Sequence, residues 1–209
     1  MSTLTIQPVV YEGKRLSEVG ERLVEIFYPR IKNYKINDGL GLETLLTLEK
    51  EASFPVLRRT NVFDGYDLAV YNEFTQLFRD NQRPLLIITQ LPHEDGLYGC
   101  APYFDLPFVS VYRSEVGEID TNRHVKMVTI LDAHELGHAF KLDGHSKEFK
   151  GQIHNIKELC IMEHGHSREA YNRTITWYDY LDAYSSKFCD DCYKDLGIQK
   201  PKLTIAVVK

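Results

Sequence analysis

One stretch constrains this chain more than any other: HVKMVTILDAHELGHAF, residues 124–140. Its apolar residues are dense enough for a buried helix, yet the same helix must carry His134, Glu135 and His138. Residues four apart lie on one helix face about one turn apart, so the two histidines are neighbours. Burying two imidazoles without partners is costly. A metal ion removes that cost: two neutral imidazoles at this spacing grip one Zn²⁺ and leave room for a water molecule. Glu135, adjacent to the first histidine, can be directed at that water as general base. The competing reading is three polar side chains on an exposed helix face, which the apolar run MVTILDA before the motif disfavours.

The rest of the chain supplies a sheet for such a helix. LTIQPVV (4–10) reads as a first strand, and RPLLIITQLP (83–92), apolar and bounded by prolines, as a buried one. PFVSVYRSE (107–115) alternates Val109, Val111 and Arg113 against Phe108, Ser110 and Tyr112, the pattern of a sheet edge beside a cleft. Val19, Leu23, Ile26 and Phe27 have helical spacing, with Ser17 as N-cap. Leu68, Tyr71, Phe74 and Leu77 mark a second helix over 64–80, and LETLLTLEK (42–50) is ambiguous. Strands alternating with helices give an α/β (α+β) class. A chain of 209 residues suffices for one compact domain.

Net charge −5 gives no electrostatic reason to expect nucleic acid or an anionic membrane as a partner. The start, MSTLTIQPVV, has neither a basic nor an apolar leader region, and no apolar run reaches membrane-spanning length. The cytoplasm is therefore the expected compartment; a monomer and, from the zinc motif, a peptide or protein substrate are expected with it. In that compartment FCDDC (188–192) reads as a metal pair ahead of a redox pair, since it follows a tyrosine-rich helical stretch near the C-terminus.

With HELGH, the pair Gly144–His145, ELCIME (158–163) and FCDDC in view, the chain resembles the archaemetzincins, whose pattern is H-E-x-x-H-x-x-G-x-x-H-C-x4-C, then a methionine and a C-x-x-C. LLIITQ and YGCAPYFDLPFVSVYR resemble the strand, glycine-containing loop and edge strand that lead to the family's active-site helix. The resemblance implies a metzincin-like fold: a mixed twisted sheet with an edge strand over the cleft, an active-site helix, a Met-turn at Met162 and a small zinc-bound C-terminal subdomain. The expected division is 1–145 and 146–209.

The chain departs from the family pattern at three points. Lys141 stands where the family has glycine, His145 arrives one residue late, and Ser146 replaces the first structural cysteine ahead of the insertion KEFKGQIHNIKEL. Lys141 can continue the helix for part of a turn, leaving Gly144 to end it in a left-handed conformation with His145 just beyond. One extra residue adds at most about 3.5 Å of chain, which a wider turn absorbs.

Two zinc ions per chain are thus expected. The catalytic ion is held by His134, His138 and His145. The structural ion is held by Cys160, Cys189, Cys192 and His154, with Cys100, His164 and His166 as competitors for the last place. His164, two residues after Met162, stands where some metzincins carry a tyrosine that stabilises the tetrahedral intermediate; a surface histidine is the alternative.

The resulting function is a zinc metallopeptidase with Glu135 as general base. One rival is a zinc-stabilised protein- or peptide-binding domain with a degenerate catalytic site. A gluzincin-like site would instead draw on Glu158 or Glu163, against which Met162 and the Gly144–His145 pair argue. A SprT-like protease working on DNA is disfavoured by a single C-x-x-C and the acidic balance.

Overall fold

Leu4, Ile6 and Val9 are fully buried and Thr5 and Gln7 nearly so, which marks the first strand as covered on both faces. The computed structural model describes residues 2–52, 57–58, 62–63, 84–90, 99–100, 108–111, 120–142, 160–162 and 187–200. They fall in two compact units, residues 1–141 and 142–209.

In the first unit β1 (Ser2–Val9) is flanked in parallel by β2 (Ile31–Ile36) and β5 (Leu85–Thr89). The five residues of β5 are all buried, as its continuous apolar run requires. Buried Gln7 is satisfied on both sides: its Nε2 donates to the carbonyls of Pro8 (3.0 Å) and Asp38 (2.9 Å), and its Oε1 accepts from Asn37 Nδ2 (2.9 Å). Beyond β5 come β7 (Phe108–Val111), parallel to it, and β6 (Gly99–Cys100), antiparallel to β7, giving the order β2-β1-β5-β7-β6. The expected edge strand is therefore corrected. β7 is paired on both sides, and among the described residues the two of β6, too short to read from sequence, form the edge. Tyr112 and Arg113 lie outside the described residues. A separate two-stranded ribbon joins β3 (Leu57–Arg58) and β4 (Val62–Phe63).

Helix α1 (Leu16–Phe27) buries Leu16, Val19, Gly20, Leu23 and Phe27 on one face. Its N-cap is Arg15, not the expected Ser17, which sits inside the first turn. The Arg15 carbonyl accepts from the Glu18 and Val19 amides, while its guanidinium pairs with the Glu18 carboxylate, so the helix starts where Leu16 first enters the core. The ambiguous segment resolves as helix α2 (Leu42–Ala52), anchored by fully buried Leu45. The helix expected over 64–80 lies outside the described residues.

Helix α3 (Asn122–Ala139) is capped by Thr121, whose hydroxyl accepts from the His124 amide at 3.1 Å. Val125, Met127, Val128, Ala133 and Leu136 fill its buried side, and it packs on α1, β6 and β7. Both ends are fastened. At the start, His124 Nε2 meets Tyr11 Oη at 2.7 Å, and Asp120 Oδ1 accepts from the Lys14 amide at 2.7 Å. At the end, the Phe140 ring lies 5.5 Å from that of Phe27 with the Arg30 guanidinium 5.4 Å over it.

In the second unit α4 (Asp190–Leu196) runs from Cys189 to Gly197, which takes the left-handed C-terminal conformation at φ 62°. Cys160, Ile161, Met162, Phe188, Cys192, Tyr193, Leu196 and Ile198 are buried here. The Ile161 amide donates to the Lys187 carbonyl (3.0 Å), and the Lys187 amide donates to Tyr193 Oη (3.0 Å).

Candidate active site and metal centres

On α3 the four-residue spacing brings His134 and His138 together as the sequence predicts. Their Nε2 atoms are 3.1 Å apart and the rings stand edge to face at 87°. Two nitrogens on one tetrahedral zinc, each about 2.0–2.1 Å from it, lie roughly 3.3 Å apart. The pair thus has the separation that a single ion demands, and both rings are only partly buried.

Glu135 is buried at 4% exposure. Burial pushes its carboxyl up to about 8, and the charge of Asp132, one turn earlier and fully buried, adds to the rise. A carboxyl in that state gives up its proton reluctantly near neutrality. A divalent cation beside His134 and His138 opposes both causes, because it favours the carboxylate. Asp132 was not singled out from the sequence, although the signal was legible: a carboxylate within TILDAHEL, three residues before Glu135 on the same helix.

The end of α3 differs from the expectation. The helix stops at Ala139 with Phe140 as its cap, and Lys141 itself takes the left-handed conformation, φ 69°. Its amide donates to the His138 carbonyl at 2.8 Å, which closes the turn. Lys141 therefore does not extend the helix toward Gly144. It bends the chain at the position where the archaemetzincin pattern has glycine. The Phe140 stack on Phe27 and Arg30 holds the cap in place and makes the bend early. Gly144, His145, His154, Glu158, Glu163, His164 and His166 lie outside the described residues.

Cys160, Cys189 and Cys192 come together although twenty-eight or more residues separate the first from the others: their sulfurs all lie within 4.8 Å of one another. Cys160 Sγ and Cys192 Sγ are 3.7 Å apart. Two thiolates on one tetrahedral zinc at about 2.3 Å sit roughly 3.8 Å apart, so this cluster also fits the ion. The hydrogen bond with Cys160 raises the Cys192 thiol far above its usual range, helped by burial; burial raises Cys189. Three crowded thiols resist ionisation until a cation joins them, and soft sulfur donors suit zinc. Met162, two residues after Cys160, is fully buried in the same unit.

A mixed sheet ending in an antiparallel edge strand, with a helix bearing H-E-x-x-H packed on that end, is the architecture that the sequence resemblance implied. Among solved structures the chain is similar to the archaemetzincin of Archaeoglobus fulgidus, crystallised with malonate, at 14% identity, covering 92% of this chain and 99% of that one with a TM-score of 0.58. It is also similar to the archaemetzincin of Methanopyrus kandleri, at 16% identity, 94% and 93% coverage and a TM-score of 0.59. The chain has an archaemetzincin-like fold. No protein-family model matches the sequence, and no curated protein matches it.

Proposed function

We propose that the chain is a zinc-dependent metallopeptidase of archaemetzincin type. The observation that carries this reading is the convergence of His134 and His138 Nε2 atoms to 3.1 Å on a helix that also presents Glu135. His145 completes the donor set from beyond the Lys141 bend, and Cys160, Cys189 and Cys192, with His154 as fourth donor, hold a second, structural ion. Zinc, when bound, supplies a Lewis acid and acidifies a water molecule. Glu135 takes the proton of the attacking water on its carboxylate and passes it to the departing amine. An extended peptide pairs along the outer side of β6, the edge of the sheet among the described residues. His164 steadies the developing charge, and Met162 forms the Met-turn. The protein works as a cytoplasmic monomer; among the described residues no helix is long and apolar enough to cross a membrane.

The test combines metal counting with hydrolysis of a peptide library. Two zinc ions per chain are expected. Glu135→Gln keeps both and loses at least about a hundredfold of the activity, the usual scale of a general base. His145→Ala loses the catalytic ion to a competing chelator. A Glu135→Gln variant as active as the parent sinks the peptidase reading; zinc retained at parental affinity in His145→Ala moves the third ligand elsewhere.

A further inference from the structure

The cysteine cluster has a second chemical property, the closeness and unequal exposure of its sulfurs. Cys160 and Cys192 are each 2% exposed, with their sulfurs in contact at 3.7 Å, while Cys189 is only partly buried. The two segments that carry them are tied by the Ile161–Lys187 backbone hydrogen bond and by Tyr193 Oη at the Lys187 amide. Those ties keep Cys160 beside Cys192 whatever the sulfurs bind. A disulfide needs the sulfurs at about 2.05 Å, so each side chain has to move by less than about 1 Å.

We propose that this cluster is also a redox-modification site, at which a peroxide converts the zinc-bound thiolates into a Cys160–Cys192 disulfide and frees the zinc. The inference rests on the reading of these cysteines as zinc ligands. Cys189, the accessible sulfur, attacks one peroxide oxygen: an S–O bond forms, the O–O bond breaks and hydroxide leaves, giving a sulfenic acid. The Cys192 thiolate then attacks the Cys189 sulfur and expels a second hydroxide as the first disulfide forms. Cys160 attacks Cys192 across the 3.7 Å contact and returns Cys189 as a thiolate. Two thiolates have lost two electrons, and one peroxide has become two hydroxides, which buffer acid protonates to water. The exchange settles there because Cys160 and Cys192 are the two buried sulfurs and already in contact, which leaves the part-exposed Cys189 as the thiolate. With one thiolate and the proposed His154 imidazole left, two donors of four, the site no longer holds zinc firmly.

The experiment treats the zinc-loaded full chain with hydrogen peroxide. It follows zinc release with a chromogenic chelator, counts free thiols after denaturation, and maps cross-links by mass spectrometry of unreduced digests. One zinc released and two thiols lost per peroxide, with a linked Cys160–Cys192 peptide and recovery on adding dithiothreitol and zinc, are expected. Cys189→Ser slows thiol loss at least tenfold; should that variant not fold, the map of the parent decides. Zinc retained at tenfold excess peroxide, a final cross-link at Cys189, or stable sulfinic acid on Cys189 overturns the proposal. Protein carrying no zinc on its cysteines before oxidation overturns the structural-zinc reading as well, while the peptidase reading stands or falls separately on Glu135→Gln.

Discussion

Replacing Lys141 with glycine should stabilise the protein, against the usual direction for a change to glycine. Lys141 sits at φ 69°, where the Cβ of an L-residue crowds the backbone and costs roughly 1–2 kcal/mol. Glycine meets no such penalty, but its looser unfolded chain gives back about 0.5–1 kcal/mol. The net gain is about 0.5–1 kcal/mol. For a chain of this size 1 kcal/mol moves the melting temperature by about 2–4 °C, so Lys141→Gly should melt about 1–4 °C higher. Lys141→Ala retains the Cβ and should melt within about 1 °C of the parent, whereas the β-branched Lys141→Val should melt lower. Thermal unfolding at fixed zinc concentration measures all three. A glycine variant melting at or below the parent, or an alanine variant gaining as much as glycine, would show that Lys141 is right-handed in solution. The helix would then run on toward Gly144, as spacing alone predicts.

Three further outcomes follow from the geometry. A Cβ on Gly20 would lie 2.4 Å from Tyr34 Cδ2, so Gly20→Ala should cost about 1–3 kcal/mol in urea unfolding, and much less when Tyr34→Ala is already present; equal costs in the two backgrounds refute the contact. Cys192→Ser, or zinc removal by a strong chelator, should lower stability by several kcal/mol, because structural zinc binding is folding free energy; unchanged melting removes the structural site. Burial holds His124 below its usual range, with Asp120 pulling it up and Arg15 pushing it down, so the folded state favours the neutral ring. Stability is then full above about pH 6.5 and falls as acid protonates the unfolded chain, and His124→Gln should show a shallower loss between pH 7 and pH 5 than the parent. Equal slopes would remove His124 from the acid response.

Much of this was legible because burial and spacing act locally. Four apolar residues and a threonine just after Pro84 read as a buried strand and form β5, and a histidine pair four apart on an apolar helix had to converge whatever the rest of the fold did. What escaped depends on distant partners. β2 carries Lys32 and Lys35 and lacks clean alternation, so it reads as a strand only once β1 offers it an edge. β7 looked like an edge because nothing in its own residues announces the two-residue β6 that covers it. The Lys141 bend is invisible to propensity, since a lysine inside an unfinished turn favours continuing, and the Phe27 ring against the Phe140 cap comes from another helix. The cysteine cluster was legible as a set of donors, and only the fold could bring Cys160 to Cys192.

The position of β1 has a consequence for how the molecule is made. It leaves the ribosome ahead of the other described strands, and its neighbour β2 follows within one short helix, so a β1–α1–β2 unit can assemble early. Its other side waits for β5: Thr5 pairs with Leu85, eighty residues further along. Through that interval the nascent chain presents an apolar strand with an open hydrogen-bonding edge, an invitation to pair with a neighbouring copy. Closing so distant a contact is also slow. The yield of soluble protein should therefore depend on the speed of translation between α2 and β5 more than on anything near the metal sites.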